Sequence, residues 1–284
     1  MIATIIHHKK SFMNKRTLLA CFSAAVIFVG CTTNAITGSK QFTALVSESQ
    51  MQEMAKTEYK QFLTESKVVS SSSSKDAEMV RRVGSRIATA ITKYYTEQGL
   101  GKELEGYQWE YNLVDSKEVN AWCMPGGKIV VYTGLLPITQ NEAALAVVVG
   151  HEIAHALAKH GQARMNEGLL QQLGGAALSV AVANKPAETQ NLFMSAYGIG
   201  TQVGIALPHS RSQESEADKF GLRFAALAGY NVREAIPLWQ RMKAASSGSK
   251  PPAFLSTHPG EDQRIADLNA IMDETIRDYY RPIK

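Results

Sequence analysis

Val147-Val148-Val149-Gly150-His151-Glu152-Ile153-Ala154-His155 is an apolar run that turns into H-E-x-x-H. From Ala143 to His160 there is no proline, and Ala, Leu and Val dominate, so the pattern predicts a long, largely buried helix. At 100° per residue His151 and His155 lie about 40° apart, and both imidazoles can converge on one ion. Neutral His nitrogens suit zinc at about 2.0–2.1 Å. Glu152 falls at the border of that face, too far round for a third ligand but placed to serve as a general base for water at the ion. Burying His, Glu and His on an apolar helix is costly unless something pairs with them, and one Zn²⁺ per chain would do so.

The chain has 284 residues, 45% hydrophobic and 20% charged, enough for a sizeable core. Its formal charge is +4, but residues 1–30 hold Lys9, Lys10, Lys15 and Arg16 and no acid, so the remainder is neutral. Bulk charge therefore gives no support to nucleic-acid binding. Residues 1–30 read as an export signal, with Lys15 and Arg16 as the basic region and Thr17 to Val29 as an apolar stretch too short to span a bilayer. Met13 is a candidate start. Phe28-Val29-Gly30-Cys31 resembles a bacterial lipobox, which would make Cys31 a lipidated first residue and anchor the protein without a transmembrane helix. Thr32 stands where an Asp would, by resemblance to bacterial lipoproteins, retain it at the inner membrane. The expected address is thus the outer membrane, facing the periplasm. Residues 31–46 are expected to be the lipidated tether, and 47–284 a single domain. Only Cys123 then remains free inside the domain, as a small buried hydrophobe.

Within the domain, Met51, Met54, Tyr59 and Phe62 give a helical stripe opened by Ser47 or Ser49. Ser70 to Ser74 reads as a loop, and Met79, Val83, Ile87 and Ile91 as a second helical stripe. Tyr107, Trp109, Tyr111 and Leu113 alternate as a half-buried strand, and Lys128 to Thr133 is another after the turn Pro125-Gly126-Gly127. Between them Asn120, Ala121 and Trp122 are expected at the sheet edge, where main-chain hydrogen bonds could hold an extended peptide. Leu169 to Val182 is an apolar helix too short for a membrane, and a further helix is expected from Glu188 to Leu207.

A catalytic zinc takes a third protein ligand. The metzincin pattern fails, because Ala158 and Gly161 stand where its glycine and third histidine belong, and His160 is expected at the surface. Ser210-Arg211-Ser212-Gln213-Glu214-Ser215-Glu216-Ala217-Asp218 supplies acids on another helix. Glu214 and Asp218 are about 40° apart and Glu216 about 200° from either. Glu214 can bind the metal while Asp218 fixes a ligand histidine through its second ring nitrogen, leaving Glu216 toward solvent. His258 is expected to open the last helix, either as a surface cap or reaching the site as an oxyanion donor or a fourth, water-blocking ligand.

H-E-x-x-H followed some sixty residues on by S-R-x-x-E-x-E-A-D resembles the membrane-associated gluzincin zinc metallopeptidases of the HtpX, BepA and LoiP type. Asn120-Ala121, Pro125-Gly126-Gly127, Gly134-Leu135-Leu136, Ala228-Gly229-Tyr230 and Ser256-Thr257-His258-Pro259 are similar to other segments of that family. The short, LoiP-like lipoprotein form is the nearest match. The resemblance implies an α+β, mostly α fold with a small β-sheet beside the H-E-x-x-H helix, and Glu214 as third ligand. It also implies a zinc metalloendopeptidase acting on unfolded or misassembled envelope proteins. The alternative is a zinc-stabilised chaperone or assembly factor with little proteolysis. Protein or peptide substrates are the expected partners, and the oligomeric state stays open.

Overall fold

The computed structural model describes residues 31–43, 45–173, 186–199, 209–246, 252–259 and 261–282. The expected export signal, the apolar stretch beyond Leu173 and the far part of the helix expected to reach Leu207 lie outside them.

The stretch expected as a tether is folded. β1 (Cys31–Thr33) and β2 (Lys40–Phe42) pair as an antiparallel hairpin whose turn turns back at Gly38, φ +78°. Buried Asn34 donates from Nδ2 to the Leu157 carbonyl at 2.8 Å and fastens the hairpin to the domain. Polar composition concealed this, since the attachment is largely by long-range hydrogen bonds, among them Leu45 and Val46 N to Asn166 Oδ1, and not by an apolar stripe.

α1 (Glu48–Glu65) opens with a reciprocal capping box between Ser47 and Gln50. The last of the five serines, Ser74, caps α2 (Lys75–Glu97) by accepting from Ala77 N. Val80, Val83, Ile87 and Ile91 form its buried stripe, with Met79 only half-buried. Each such side chain contributes about 1.5–3 kcal/mol on burial.

A four-stranded sheet follows from β3 (Val68–Val69), β4 (Glu110–Val114), β5 (Ala121–Met124) and β6 (Lys128–Tyr132), in the order β3-β4-β6-β5. β4 and β6 are parallel, and β5 pairs antiparallel to β6 with Trp122 opposite Val130. β4 begins at Glu110, so Tyr107 and Trp109 precede the strand. The β5–β6 turn needs Gly127, where φ is +80° and a Cβ would stand 2.5 Å from the Trp109 ring. β5 is the edge strand, as expected, yet Asn120, Ala121 and Trp122 are buried. Trp122 packs edge-on against Tyr59 and Phe62, with centroids 6.0 and 5.0 Å away. The whole of the strand, main chain and side chains alike, is therefore covered at rest. Cys123 is buried, and burial pushes its thiol well above the usual range, in line with a hydrophobic role.

The helical layer comprises α3 (Glu142–Leu157), α4 (His160–Leu173), α5 (Pro186–Ala196), α6 (Arg211–Leu227), α7 (Ala235–Ser246), α8 (Ala253–Thr257) and α9 (Glu261–Tyr279). The expected helix from Ala143 to His160 is divided, because Lys159 adopts φ +59° and turns the chain into α4. The fold is mostly helical with small sheets, as the sequence implied. Among the described residues no helix is long and apolar enough to cross a membrane.

Candidate active site

α3 lies at the centre of the core, buried from Ala144 to Leu157. Asn141 caps it by accepting from Ala144 N at 2.9 Å, and Glu142 in its first turn suits the helix dipole. α6 has its own capping box, Ser210 with Gln213. The two helices cross at paired glycines: a Cβ on Gly150 would lie 2.6 Å from the Gly221 carbonyl oxygen. No residue with a side chain fits that contact. The close approach brings the acids of α6 against the histidines of α3.

His151, His155, Glu214 and His258 form one buried cluster. Nε2 of His151 is 3.0 Å from Nε2 of His155 and 3.3 Å from Nδ1 of His258. Glu214 Oε1 lies 3.3 Å from His155 Nε2 and 3.0 Å from His258 Nδ1, and its Oε2 lies 3.5 Å from His151 Nε2. A tetrahedral ion with bonds of about 2.0–2.1 Å has ligand-to-ligand edges of about 3.3–3.4 Å. The cluster already has those dimensions, so its donors fit a divalent cation.

Its electrostatics agree. Burial pushes the Glu214 carboxyl up, but His258, His151 and His155 outweigh it and leave it strongly lowered. Burial lowers His155 and takes His258 down to about 4, so both rings are neutral near pH 7. Burial also opposes charge on His151, yet Asp218 and Glu214 raise it to about 9. The cluster thus calls for positive charge at one point, which a proton on His151 or a cation can supply. Glu152 is raised to about 8, chiefly by burial, and its Oε1 has no hydrogen-bond partner among the described residues. His258 Nε2 is its near neighbour at 3.5 Å.

The surrounding side chains hold these groups in place. Asp218 Oδ1 is 2.9 Å from His151 Nδ1, near enough for a hydrogen bond though not aligned for one. Arg264, buried in α9, donates from Nε to Asp218 Oδ2 at 2.6 Å and from Nη2 to Glu214, and its guanidinium lies over the Trp239 ring at 4.0 Å. The His258 ring stacks between Phe254 at 4.2 Å and His209 at 4.7 Å. His209 in turn donates from its backbone to Thr257 O at 3.0 Å and accepts from Arg164.

The model of Peptidase family M48 matches residues 74–272, most of the chain. The chain belongs to that family. Relatives of this M48 chain include the mitochondrial metalloendopeptidase OMA1 of Arabidopsis thaliana, 36% identical over 179 residues, which are 62% of this chain and 34% of the relative. OMA1 of Saccharomyces cerevisiae is 30% identical over 173 residues, 58% of this chain and 48% of that protein. The beta-barrel assembly-enhancing protease of Yersinia pestis is 31% identical over 166 residues, 56% and 33% of the two chains. The M48 chain thus aligns with about a third to a half of these relatives' lengths.

The structure brings His151, Glu152, His155, Glu214, Asp218 and His258, the residues the sequence singles out, into one neighbourhood. Three expectations are corrected. His160 is fully buried, not at the surface, and Glu216 pairs with it at 2.8 Å instead of facing solvent. The αL turn at Lys159 causes both, because it swings His160 back beneath His155. His258 closes α8 and does not open the last helix, which begins at Glu261. Cys31 is exposed at the hairpin's start, Asn120 immediately precedes β5, and Ala121 and Trp122 lie on it. His209, Arg164 and Arg264 escaped sequence reading. Only the Pro208-His209-Ser210 cap, immediately before the acidic motif, carried a usable signal for any of them.

Proposed function

We propose that this chain is a zinc-dependent metalloendopeptidase that cuts unfolded or misassembled envelope proteins. His151, His155 and Glu214 would hold one Zn²⁺ per chain. The observation that carries this is the tetrahedral spacing of those donors beside an unpartnered, buried Glu152. Bound zinc would supply Lewis acidity and bring the pKa of a water at the site toward 7. Glu152 would take a proton from water at the site and return it to the leaving amine, and burial raises its affinity for that proton. Asp218, itself held by Arg264, fixes the orientation of His151 from behind.

The main chain of Asn120 and of β5 at Ala121 and Trp122, at the sheet edge, would receive an extended substrate backbone once that edge is uncovered, which favours unfolded chains over any one side chain. Lipid on Cys31 would anchor the protein at the bacterial outer membrane, facing the periplasm. The relatives named as beta-barrel assembly-enhancing proteases support an envelope setting. His258 Nδ1 lies within the same cluster, 3.3 Å from His151 Nε2 and 3.0 Å from Glu214 Oε1, where it would compete with water for a fourth corner until that ring moves. This corner also supports a second reading, a protein that binds envelope clients and rarely cuts them.

The deciding experiment is zinc content and casein cleavage of the full chain beside Glu152→Gln. Both proteins binding one zinc with only the parent cutting is the expected result. Equal cleavage by the two proteins removes Glu152 from the chemistry, and a parent without zinc removes the metal.

A further inference from the structure

We propose that His160 and Glu216 are positioning residues for His155, setting which of its ring nitrogens is bare and holding that nitrogen on the ligand cluster. The inference rests on the metal site proposed above.

His155 presents Nε2 to the cluster and Nδ1 to His160, whose Nδ1 is 2.8 Å away. The other His160 nitrogen, Nε2, is 2.8 Å from Glu216 Oε2. A neutral imidazole carries one N–H, and a carboxylate only accepts. His160 must therefore keep its proton on Nε2 to reach Glu216, which leaves its Nδ1 as an acceptor. His155 must then donate from Nδ1, and its Nε2 is left with a bare lone pair aimed at Glu214 and His151. With both rings neutral, no other assignment makes both hydrogen bonds. The tautomer that ligates a cation is the one this chain imposes.

Backbone geometry shows that the arrangement is built. On an uninterrupted helix His160 would lie about 140° round from His155. Lys159 at φ +59° ends α3 and starts α4, which carries His160 under the His155 ring with centroids 4.9 Å apart. Glu216, on the opposite side of α6 from Glu214 and Asp218, meets it there. One helix thus backs both histidines of the H-E-x-x-H motif with a carboxylate. Asp218 faces His151 Nδ1 directly, and Glu216 reaches His155 Nδ1 through a histidine. Asn34, bonded to Leu157 O at 2.8 Å, brings the hairpin to the same end of α3.

The test measures zinc affinity of the full chain by competition with a chromophoric chelator, together with melting of the zinc-stripped protein. Glu216→Gln keeps the side chain's volume and removes its charge, and His160→Gln is the second variant. The expected result is a zinc Kd weakened about 10–100-fold in both, a shifted visible spectrum of the cobalt-substituted protein, and Glu216→Gln melting like the parent when zinc is absent. Parental zinc affinity in Glu216→Gln overturns the inference. So does a weakened affinity matched by an equal loss of zinc-free melting temperature, which marks a merely structural contact. A parent that binds no zinc overturns the underlying site as well, and that arm separates the two failures.

Discussion

Replacing Gly221 by alanine tests the crossing on which the whole cluster depends. The new methyl would stand 2.6 Å from His151 N and 2.7 Å from His151 Cα, with Gly150 C at 2.9 Å. These are backbone atoms within a buried helix, so no side chain can rotate away. Restoring a contact of 3.4 Å requires α6 to withdraw by about 0.8 Å, and close-packed interiors resist such a shift. Overpacking of this kind costs about 1–3 kcal/mol. For a chain of this size that is a melting temperature lowered by roughly 4–8 °C at the middle of the range. Metal sites tolerate bond errors of about 0.2 Å, so the same withdrawal carries Glu214 and Asp218 out of register with His151. Zinc affinity should fall by at least about tenfold, and kcat/KM on casein by about 100-fold. Gly101→Ala is the control, since its nearest neighbour would be 3.5 Å away. A Gly221→Ala protein that melts, binds zinc and cuts within about threefold of the parent would refute the claim that this glycine pair sets the site.

His258→Ala opens the fourth corner and should raise casein cleavage; a fall would move His258 to transition-state support, and no change would remove it from the site. The zinc-stripped protein should melt lower as pH rises from 6.5 to 9. His151 is raised to about 9 and Glu152 to about 8, so both keep protons in the folded state that the unfolded chain has already lost. Their stabilising contributions are present at low pH and disappear as pH passes those values. Scanning calorimetry across that window checks this, Glu152→Gln should remove the part of the slope that ends near 8, and a rising melting temperature would contradict it. Trp122→Ala should cost about 3–5 kcal/mol of stability in denaturant titration, because its ring fills the space between Tyr59 and Phe62; a loss below about 1 kcal/mol would place that ring outside the core.

The catalytic half of the sequence was legible because its chemistry is periodic. His151 and His155 share a face at four-residue spacing, as do Glu214 and Asp218, and the structure sets those faces against each other. The same periodic reasoning misplaced His160 and Glu216. It assumed one continuous helix, and a lysine at φ +59° leaves no compositional trace. Arg264 was illegible for another reason: its partners Asp218 and Glu214 are some fifty residues away, and nothing local separates a buried arginine over Trp239 from a solvated one. The sheet edge was found by alternation and turn chemistry. Alternation could not show that Trp122 turns toward α1, since both faces of β5 are covered.

The fastening of Asn34 to the last carbonyl of the H-E-x-x-H helix sets a leash length. Asn34 is the third residue after Cys31, and an extended chain covers at most about 3.3–3.6 Å per residue. An acyl group on Cys31 would therefore hold the Asn34 backbone within about 10 Å of the lipidated residue, with the end of the catalytic helix one side chain and one hydrogen bond beyond. A protease on a long flexible stalk sweeps a broad volume and meets clients by chance. One rooted this closely would patrol a shallow layer over the bilayer, where the polypeptides to be met are those entering or leaving it.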